Sequence, residues 1–346
     1  MSDYLVKYSI WKKLYDRYLL HFYLEPFCKR RSQLPESEIL KNIFVFAQHR
    51  GGSTWLTEIL STIPKSRPII EPLWRGRMST NGQMPHPNIG RCDQIKNHRL
   101  NFYFQQPIPE NSEWPEAEQF FKELFKLEIS KLGLYADLDI RKISRTETFI
   151  FKFCFGNQLM PWLVEKLKIR PLLLVRHPCA VVHSQLHVPY WSQIRDLPKF
   201  RIANFRFNEL YRHYADILND IRTTEENLAA HWCLNMVGSI KNENNNRKWL
   251  TVSYENLYEN FEFEVNRIFK WLDRPIPEGI KKFNYKPSQW TEDYSNSYIE
   301  SGNQLNLWKE KLSCDQISRI LGIVEKFDIP GYTNSIRPNI DILYQH

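Results

Sequence analysis

The sequence predicts an α/β fold, a P-loop-like parallel sheet flanked by helices on both faces. Three observations carry this prediction. Short buried-strand patterns alternate with helical periodicity along the chain. The apolar run Ile43 to Phe46 breaks into Arg50-Gly51-Gly52-Ser53-Thr54 and resumes at helical spacing with Trp55, Leu56, Ile59 and Leu60. Pro171 to Val175 is apolar throughout, as a strand covered on both faces must be.

In chain order, residues 1–40 form an aromatic and basic helical extension. Tyr4, Tyr8, Trp11, Tyr15, Tyr18 and Phe22 recur every three or four residues and define one helical face. Lys7, Lys12, Lys13, Arg17 and Lys29-Arg30-Arg31 surround it. Aromatic plus basic suits an interfacial membrane helix, while the more ordinary reading is a helix packed on the domain or on another subunit. A single domain spans 41–346. Its first unit is the strand at 43–46, the glycine turn and a helix from about Ser53 to Thr62. A second short strand, Pro68–Ile70, leads to Glu71. Two insertions, at about 75–115 and 188–222, lack periodicity and read as acceptor-site walls or lids.

Between and after the insertions the alternation continues. Helix 115–132 carries Phe120, Phe121, Leu124, Phe125 and Leu127 on one side. Thr148–Cys154 is a strand and Leu159–Leu167 its helix. Strand 171–175 delivers Arg176-His177-Pro178, which opens a helix running through Ser184. Helix 224–241 precedes the strand Trp249–Ser253. From Tyr254 a helix continues through Leu272, and a final helix spans about Leu307 to Phe327.

Bulk properties narrow the function. The chain has 346 residues, 42% hydrophobic, with net charge +8. A basic balance fits nucleic acid, an acidic membrane surface or an anionic small ligand. No block of five basic residues and no RNA-binding or zinc motif occurs, which weighs against nucleic acid. Six cysteines without a C-x-x-C pair imply a reducing, cytoplasmic compartment and no structural metal. No apolar run approaches 18 residues, and the N-terminus lacks a signal peptide's apolar core.

The glycine turn carries the chemistry. Orphan N–H groups at a helix start favour an anion. Gly51 and Gly52 let the backbone approach it. Ser53 and Thr54 add hydroxyls, and Arg50 adds a planar cation. A plain connection with Ser53 as N-cap is the structural alternative. Walker A geometry is absent, because no Lys follows the glycines. A second anion site is expected where Arg176 ends its strand, with Ser184 two turns up the next helix.

Together these motifs resemble the sulfotransferases that use 3′-phosphoadenosine 5′-phosphosulfate (PAPS). Arg50-Gly51-Gly52-Ser53-Thr54-Trp55 looks like their 5′-phosphosulfate loop. Leu174-Val175-Arg176-His177-Pro178, with Ser184, looks like their 3′-phosphate motif. Val252-Ser253-Tyr254-Glu255-Asn256-Leu257 and Trp308-Lys309-Glu310-Lys311-Leu312 are similar to two further elements in family order. The likeness covers roughly residues 41–330. Gly51 stands for the usual Ser, His177 for Asp or Asn, and Asn256 for Asp. Arg50 in place of Lys points to the carbohydrate and tyrosylprotein branch, in soluble form.

The resemblance implies transfer of a sulfuryl group from PAPS to a hydroxyl or amine of a small-molecule or carbohydrate acceptor. The product nucleotide is adenosine 3′,5′-bisphosphate, and no metal is needed. Arg50 would stabilise the leaving phosphate. Gly51, Gly52, Ser53, Thr54 and Trp55 would hold the 5′ end, Arg176 and Ser184 the 3′-phosphate, and Tyr254 would lie near the adenine. Glu71 is the expected general base, with burial beside Trp74 raising its pKa. His86 and His98 are rival bases. Lys152, His49 and His177 are candidate donors to the nucleotide, and Arg75 and Arg77 candidate contacts to an anionic acceptor. Two other functions fit the same residues. One is a P-loop nucleotide kinase or ATPase; the other is a non-catalytic membrane-surface adaptor docking through residues 1–31.

Overall fold

Five parallel strands make the sheet: β1 (Ile43–Ala47), β2 (Ser66–Ile70), β3 (Thr148–Phe153), β4 (Leu172–Val175) and β5 (Leu250–Ser253). Their order is β2-β3-β1-β4-β5, so β1 is central and β2 and β5 are edges. The computed structural model describes residues 14–73, 106–135, 138–187, 200, 202, 206–284 and 305–345. Trp74, Arg75, Arg77, His86 and His98 lie outside those residues, as do Tyr4, Tyr8 and Trp11.

The longer helices and those around the site are α1 (Glu25–Ser32), α2 (Ser53–Leu60), α3 (Pro115–Lys126), α4 (Met160–Leu167), α5 (Pro178–Leu186), α6 (Thr224–Ile240), α7 (Tyr254–Glu259), α8 (Phe261–Trp271), α9 (Leu307–Lys311), α10 (Cys314–Lys326) and α11 (Ile340–Leu343), with two short helices at Glu209–His213 and Ala215–Asn219. Strand alternation assigns them to two faces. Phe44, Phe46, Phe149, Phe151, Phe153, Leu173 and Val175 point into a core with α3, α4, α5 and α6. Ile43, Val45, Ala47, Ile150, Leu172 and Leu174 point into the other, with α2, α7 and α8. Across β1 and β3 the rings form a ladder. Phe44 stacks on Phe151 at 5.5 Å and Phe46 on Phe153 at 4.8 Å, registered as strand neighbours.

Several element boundaries differ from the sequence expectation, each for a local reason. Strand β2 starts at Ser66, before Pro68, because an edge strand tolerates a residue without an N–H. The helix expected over 115–132 stops at Lys126, where Leu127 turns left-handed at φ +67°. The helix expected over 254–272 is two, broken at Asn260. The last helix is also two. Ser313 opens α10 with a capping box: its hydroxyl accepts Gln316 N–H at 3.2 Å and Gln316 accepts Ser313 N–H at 3.0 Å. Periodicity ran through this break because Trp308, Leu312, Ile317 and Ile320 are buried on both sides of it.

Parts of both insertions are core. Ile108 and Trp114 of the first, and Tyr211, Leu218 and Ile221 of the second, join the larger cluster. At the N-terminal end Leu24, Phe27 and Cys28 also bury there.

Candidate active site

All the predicted site residues within the described chain gather at the carboxyl edge of the sheet, where α/β folds bind ligands. Strands β1 and β4 are neighbours, with Ala47 beside Leu174. Each ends in an arginine within three residues, so Arg50 and Arg176 meet. Arg176 Nη1 donates to the Arg50 carbonyl at 3.2 Å. Arg50 Nε donates to Ser184 Oγ at 2.9 Å, linking the turn to α5.

The turn itself is built on two glycines and one left-handed arginine. Gly51 N donates to Gln48 O at 2.8 Å. A Cβ on Gly51 would sit 2.7 Å from that same oxygen, so no larger residue fits without movement. Arg50 is left-handed at φ +70° and Gly52 at φ +91°. Gly52, not Ser53, is the N-cap of α2, and no side chain caps that end. Ser53 instead contacts the Cys154 thiol at 3.3 Å. The first N–H groups of α2 thus carry no side-chain cap.

Tyr254, the first residue after β5, closes the other side. Its ring lies against Gly52, where a Cβ would come within 2.3 Å of it. Arg176 stacks on that ring, its Cζ 4.4 Å from the centroid. Tyr254 is buried, and its hydroxyl pKa is raised by that burial. Trp55 meets Tyr254 edge-on at 5.6 Å and gives its indole N–H to Phe283 O at 3.0 Å. Thr54 is partly exposed at the second position of α2.

Charge is concentrated here. Neither Arg50 nor Arg176 forms an ion pair with a described carboxylate. Arg176 Nε is enclosed and has no hydrogen-bond partner among the described residues. The cations that do have partners in this fold show the contrast, as where Arg267 Nη1 meets buried Glu264 at 2.7 Å. Arg176 joined to the Arg50 main chain, with neither arginine in an ion pair with a described carboxylate, favours an anion nearby. A helix start without a side-chain cap, an enclosed guanidinium nitrogen and two arginines outside any described ion pair together fit a nucleotide carrying phosphates at both ends.

His177 has a different task from the one expected. It is fully buried, with its ring stacked on Trp308 at 4.6 Å. Its Nδ1 accepts Cys179 N–H at 3.2 Å, capping α5, so its proton sits on Nε2, which donates to Thr333 O at 3.0 Å. A histidine thereby performs the N-cap work of an Asp or Asn. Burial lowers its pKa to about 4. Beneath it, Glu255 accepts His177 N–H at 2.8 Å and Ser253 Oγ at 3.0 Å.

On the far side of β1, strand ends β2 and β3 bring Glu71 and Lys152 together. Glu71 is left-handed at φ +47° and buried. Its carboxylate accepts Cys154 N–H at 2.9 and 3.1 Å, with Lys152 Nζ 3.7 Å away. Lys152 shares the Ile150 face of β3, the face covered by α2. His49 stacks on Phe155 at 5.4 Å. Burial, reinforced by Lys152 and Arg50, pushes its pKa well below the ordinary value.

One part of the site was not anticipated. Buried amides brace the turn from below. Gln185 Nε2 donates to His49 O at 3.0 Å, Asn157 Nδ2 to Ala47 O at 2.8 Å, and Asn235 Nδ2 to Gln48 Oε1. Gln158 Nε2 reaches Asn235 Oδ1 and the Tyr211 hydroxyl, each at 3.2 Å. The signal was present: Gln48 and Asn157-Gln158 are polar in an apolar setting shortly after a strand, and Gln185 is polar at the end of an apolar helix.

Comparison with known proteins gives one family. The model of the sulfotransferase domain matches residues 40–320. No curated protein matches the chain. Solved structures with a similar fold include the mouse sulfotransferase SULT7A1 complexed with PAP, at 13% identity, TM-score 0.39 and 83% of each chain covered. The sulfotransferase domain of the Synechococcus PCC 7002 olefin synthase is 15% identical with TM-score 0.43, covering 83% of this chain and 94% of that one. The sulfotransferase domain from the curacin biosynthetic pathway is also 15% identical, with TM-score 0.44 and coverage of 84% and 98%.

Proposed function

Since the chain belongs to the sulfotransferase domain family and is therefore a sulfotransferase, we propose that it uses PAPS as donor and a hydroxyl or amine of a small-molecule or carbohydrate compound as acceptor. The observation that carries the donor assignment is the pair Arg50 and Arg176, joined through the Arg50 carbonyl, with neither in an ion pair with a described carboxylate. PAPS, when bound, supplies the sulfuryl group and a phosphate leaving group.

The chain's own residues divide the work. Gly51, Gly52 and the first amides of α2, with Ser53 and Thr54, hold the 5′ end. Arg176 and Ser184 hold the 3′-phosphate, the first by charge and the second by its hydroxyl. The enclosed Arg176 Nε is the donor that such a phosphate satisfies. Arg50 faces the charge that grows on the leaving phosphate, and because it is already positioned by Ser184 it needs no rearrangement to do so. Trp55 and Tyr254 keep the turn's shape, and the Tyr254 edge lies beside the adenine.

Glu71 takes the acceptor's proton. Its place at the strand edge, its burial and its left-handed backbone support this assignment. Lys152, 3.7 Å from Glu71, holds the carboxylate in place and adds positive charge under the turn.

Calorimetry with three nucleotides tests the reading. Adenosine 3′,5′-bisphosphate should bind tightly, adenosine 5′-monophosphate roughly 10- to 100-fold more weakly for want of one charge-assisted site, and ATP no better than the monophosphate. Equal affinity for all three would refute a 3′-phosphate site. Magnesium-dependent preference for ATP would favour a kinase.

A further inference from the structure

We propose that the helical turns at 14–24, with the neighbouring turn Ile140–Arg145, form a docking surface for an anionic lipid bilayer. This goes beyond sulfuryl transfer and does not depend on it. The segment is anchored on one side and bare on the other. Leu24 is fully buried, and Leu19, Leu20 and Tyr23 pack against the main core. On the opposite side Leu14, Tyr15, Tyr18 and Phe22 are 50%, 51%, 45% and 67% exposed. Few large apolar side chains elsewhere in the described chain are as bare, and none of those forms a run on one face.

The exposed rings are pre-arranged. Tyr18 lies 5.1 Å from Phe22 and 5.7 Å from Tyr23, centroid to centroid. The hydroxyls of Tyr18 and Tyr23 are 3.3 Å apart. The backbone at Leu20–Leu24 is a π-helical turn, in which Glu25 N–H bonds Leu20 O, a rare form that is frequent at functional sites. Tyrosine and phenylalanine suit the headgroup boundary because one end of the surface is apolar and the other wet.

Charge selects the partner. The turn Ile140–Arg145 packs against Leu20–Leu24 and exposes Arg141, Lys142 and Arg145. Residues 14–32 and 139–145 together hold seven arginines and lysines, namely Arg17, Lys29, Arg30, Arg31, Arg141, Lys142 and Arg145. Against them stand three carboxylates: Asp16, Glu25, which pairs with His21, and Asp139, which pairs with Arg141 and Lys142. Arg31 is spent on Glu38. The remainder is an aromatic patch in a positive field, the complement of an acidic lipid surface. A second copy would bring like charges together. Four apolar side chains also fall short of the roughly 20–30 residues a side that a stable dimer uses. No described helix is long and apolar enough to cross a membrane, so the contact lies along the surface.

Sedimentation of the full chain with vesicles decides this. Phosphatidylcholine vesicles containing phosphatidylserine should pull the protein down, the more so at low salt, and phosphatidylcholine alone should not. The triple variant Y15S/Y18S/F22S should bind anionic vesicles roughly tenfold less, and so should R141S/K142S/R145S. Both variants should keep the wild-type melting temperature and nucleotide affinity, which separates this result from any failure of the active-site assignment. Undiminished pelleting of both variants would overturn the proposal. So would a wild-type dimer in ultracentrifugation that the aromatic variant turns into monomer, since the face would then serve self-association.

Discussion

Arg176 is spent three ways on the protein: its carbonyl on Trp232, its Nη1 on the turn and its face on Tyr254. One nitrogen, Nε, is left enclosed and unused. Replacing it by Ala should therefore weaken adenosine 3′,5′-bisphosphate by roughly 10- to 100-fold, the worth of a charge-assisted hydrogen bond. Arg176→Lys should recover little, because an ammonium neither stacks on Tyr254 nor forks to a phosphate. Arg50→Ala should cost turnover more than affinity, since its charge answers one that grows in the transition state. For Glu71, the conservative Gln keeps size and loses basicity. Turnover should fall roughly 100-fold with nucleotide affinity unchanged. Near-normal turnover would move the proton to another group.

At the scale of elements, the turn between β1 and α2 depends on space as much as on charge. Gly52→Ala would force a Cβ to 2.3 Å from the Tyr254 ring at a φ of +91°. Nucleotide binding should be lost while circular dichroism stays native, and the double variant Gly52→Ala with Tyr254→Ala should regain some of it. Helix α5 depends on His177 for its cap. His177→Ala should destabilise the fold by about 1 kcal/mol for the cap, and more for the space left against Trp308. His177→Asn should recover the cap but not the stacking. Chemical denaturation of the two variants would separate these contributions.

For the whole molecule, the buried histidines set an acid limit. His177 and His183 titrate in the fold at about 4, and His49 well below its ordinary value. Burial is the leading cause in each. The unfolded chain binds these protons near pH 6.5, whereas the folded chain binds those of His177 and His183 only near 4 and that of His49 well below its ordinary value. Folding is therefore favoured fully above about 6.5, and stability is lost as pH falls from there toward 4. Glu255 acts with the opposite sign, since burial raises its pKa and the folded state keeps its proton longer. Three groups against one make net destabilisation the expected result. A midpoint for urea unfolding that did not fall between pH 6.5 and 4.5 would contradict it. The joint variant His177→Asn with His183→Gln should flatten the dependence.

Much of this protein was legible before any coordinate. Strand and helix alternate at spacings that local sterics enforce, so the α/β class and the five strands followed from residue pattern. Arg50 with its glycines and Arg176 with its proline announced themselves because short-range backbone geometry demands those residue types. Three things waited on the tertiary structure. The pairing of β1 with β4 decided that the two arginines meet, and strand order is a long-range choice that no local pattern carries. Glu71 and Lys152 became neighbours for the same reason, across β2 and β3. His177 became a cap and Gly52 a seat for Tyr254 only because packing brought Trp308, Thr333 and β5 to them. Residue spacing sets what each segment can form, whereas burial and cross-strand order set what each side chain then touches.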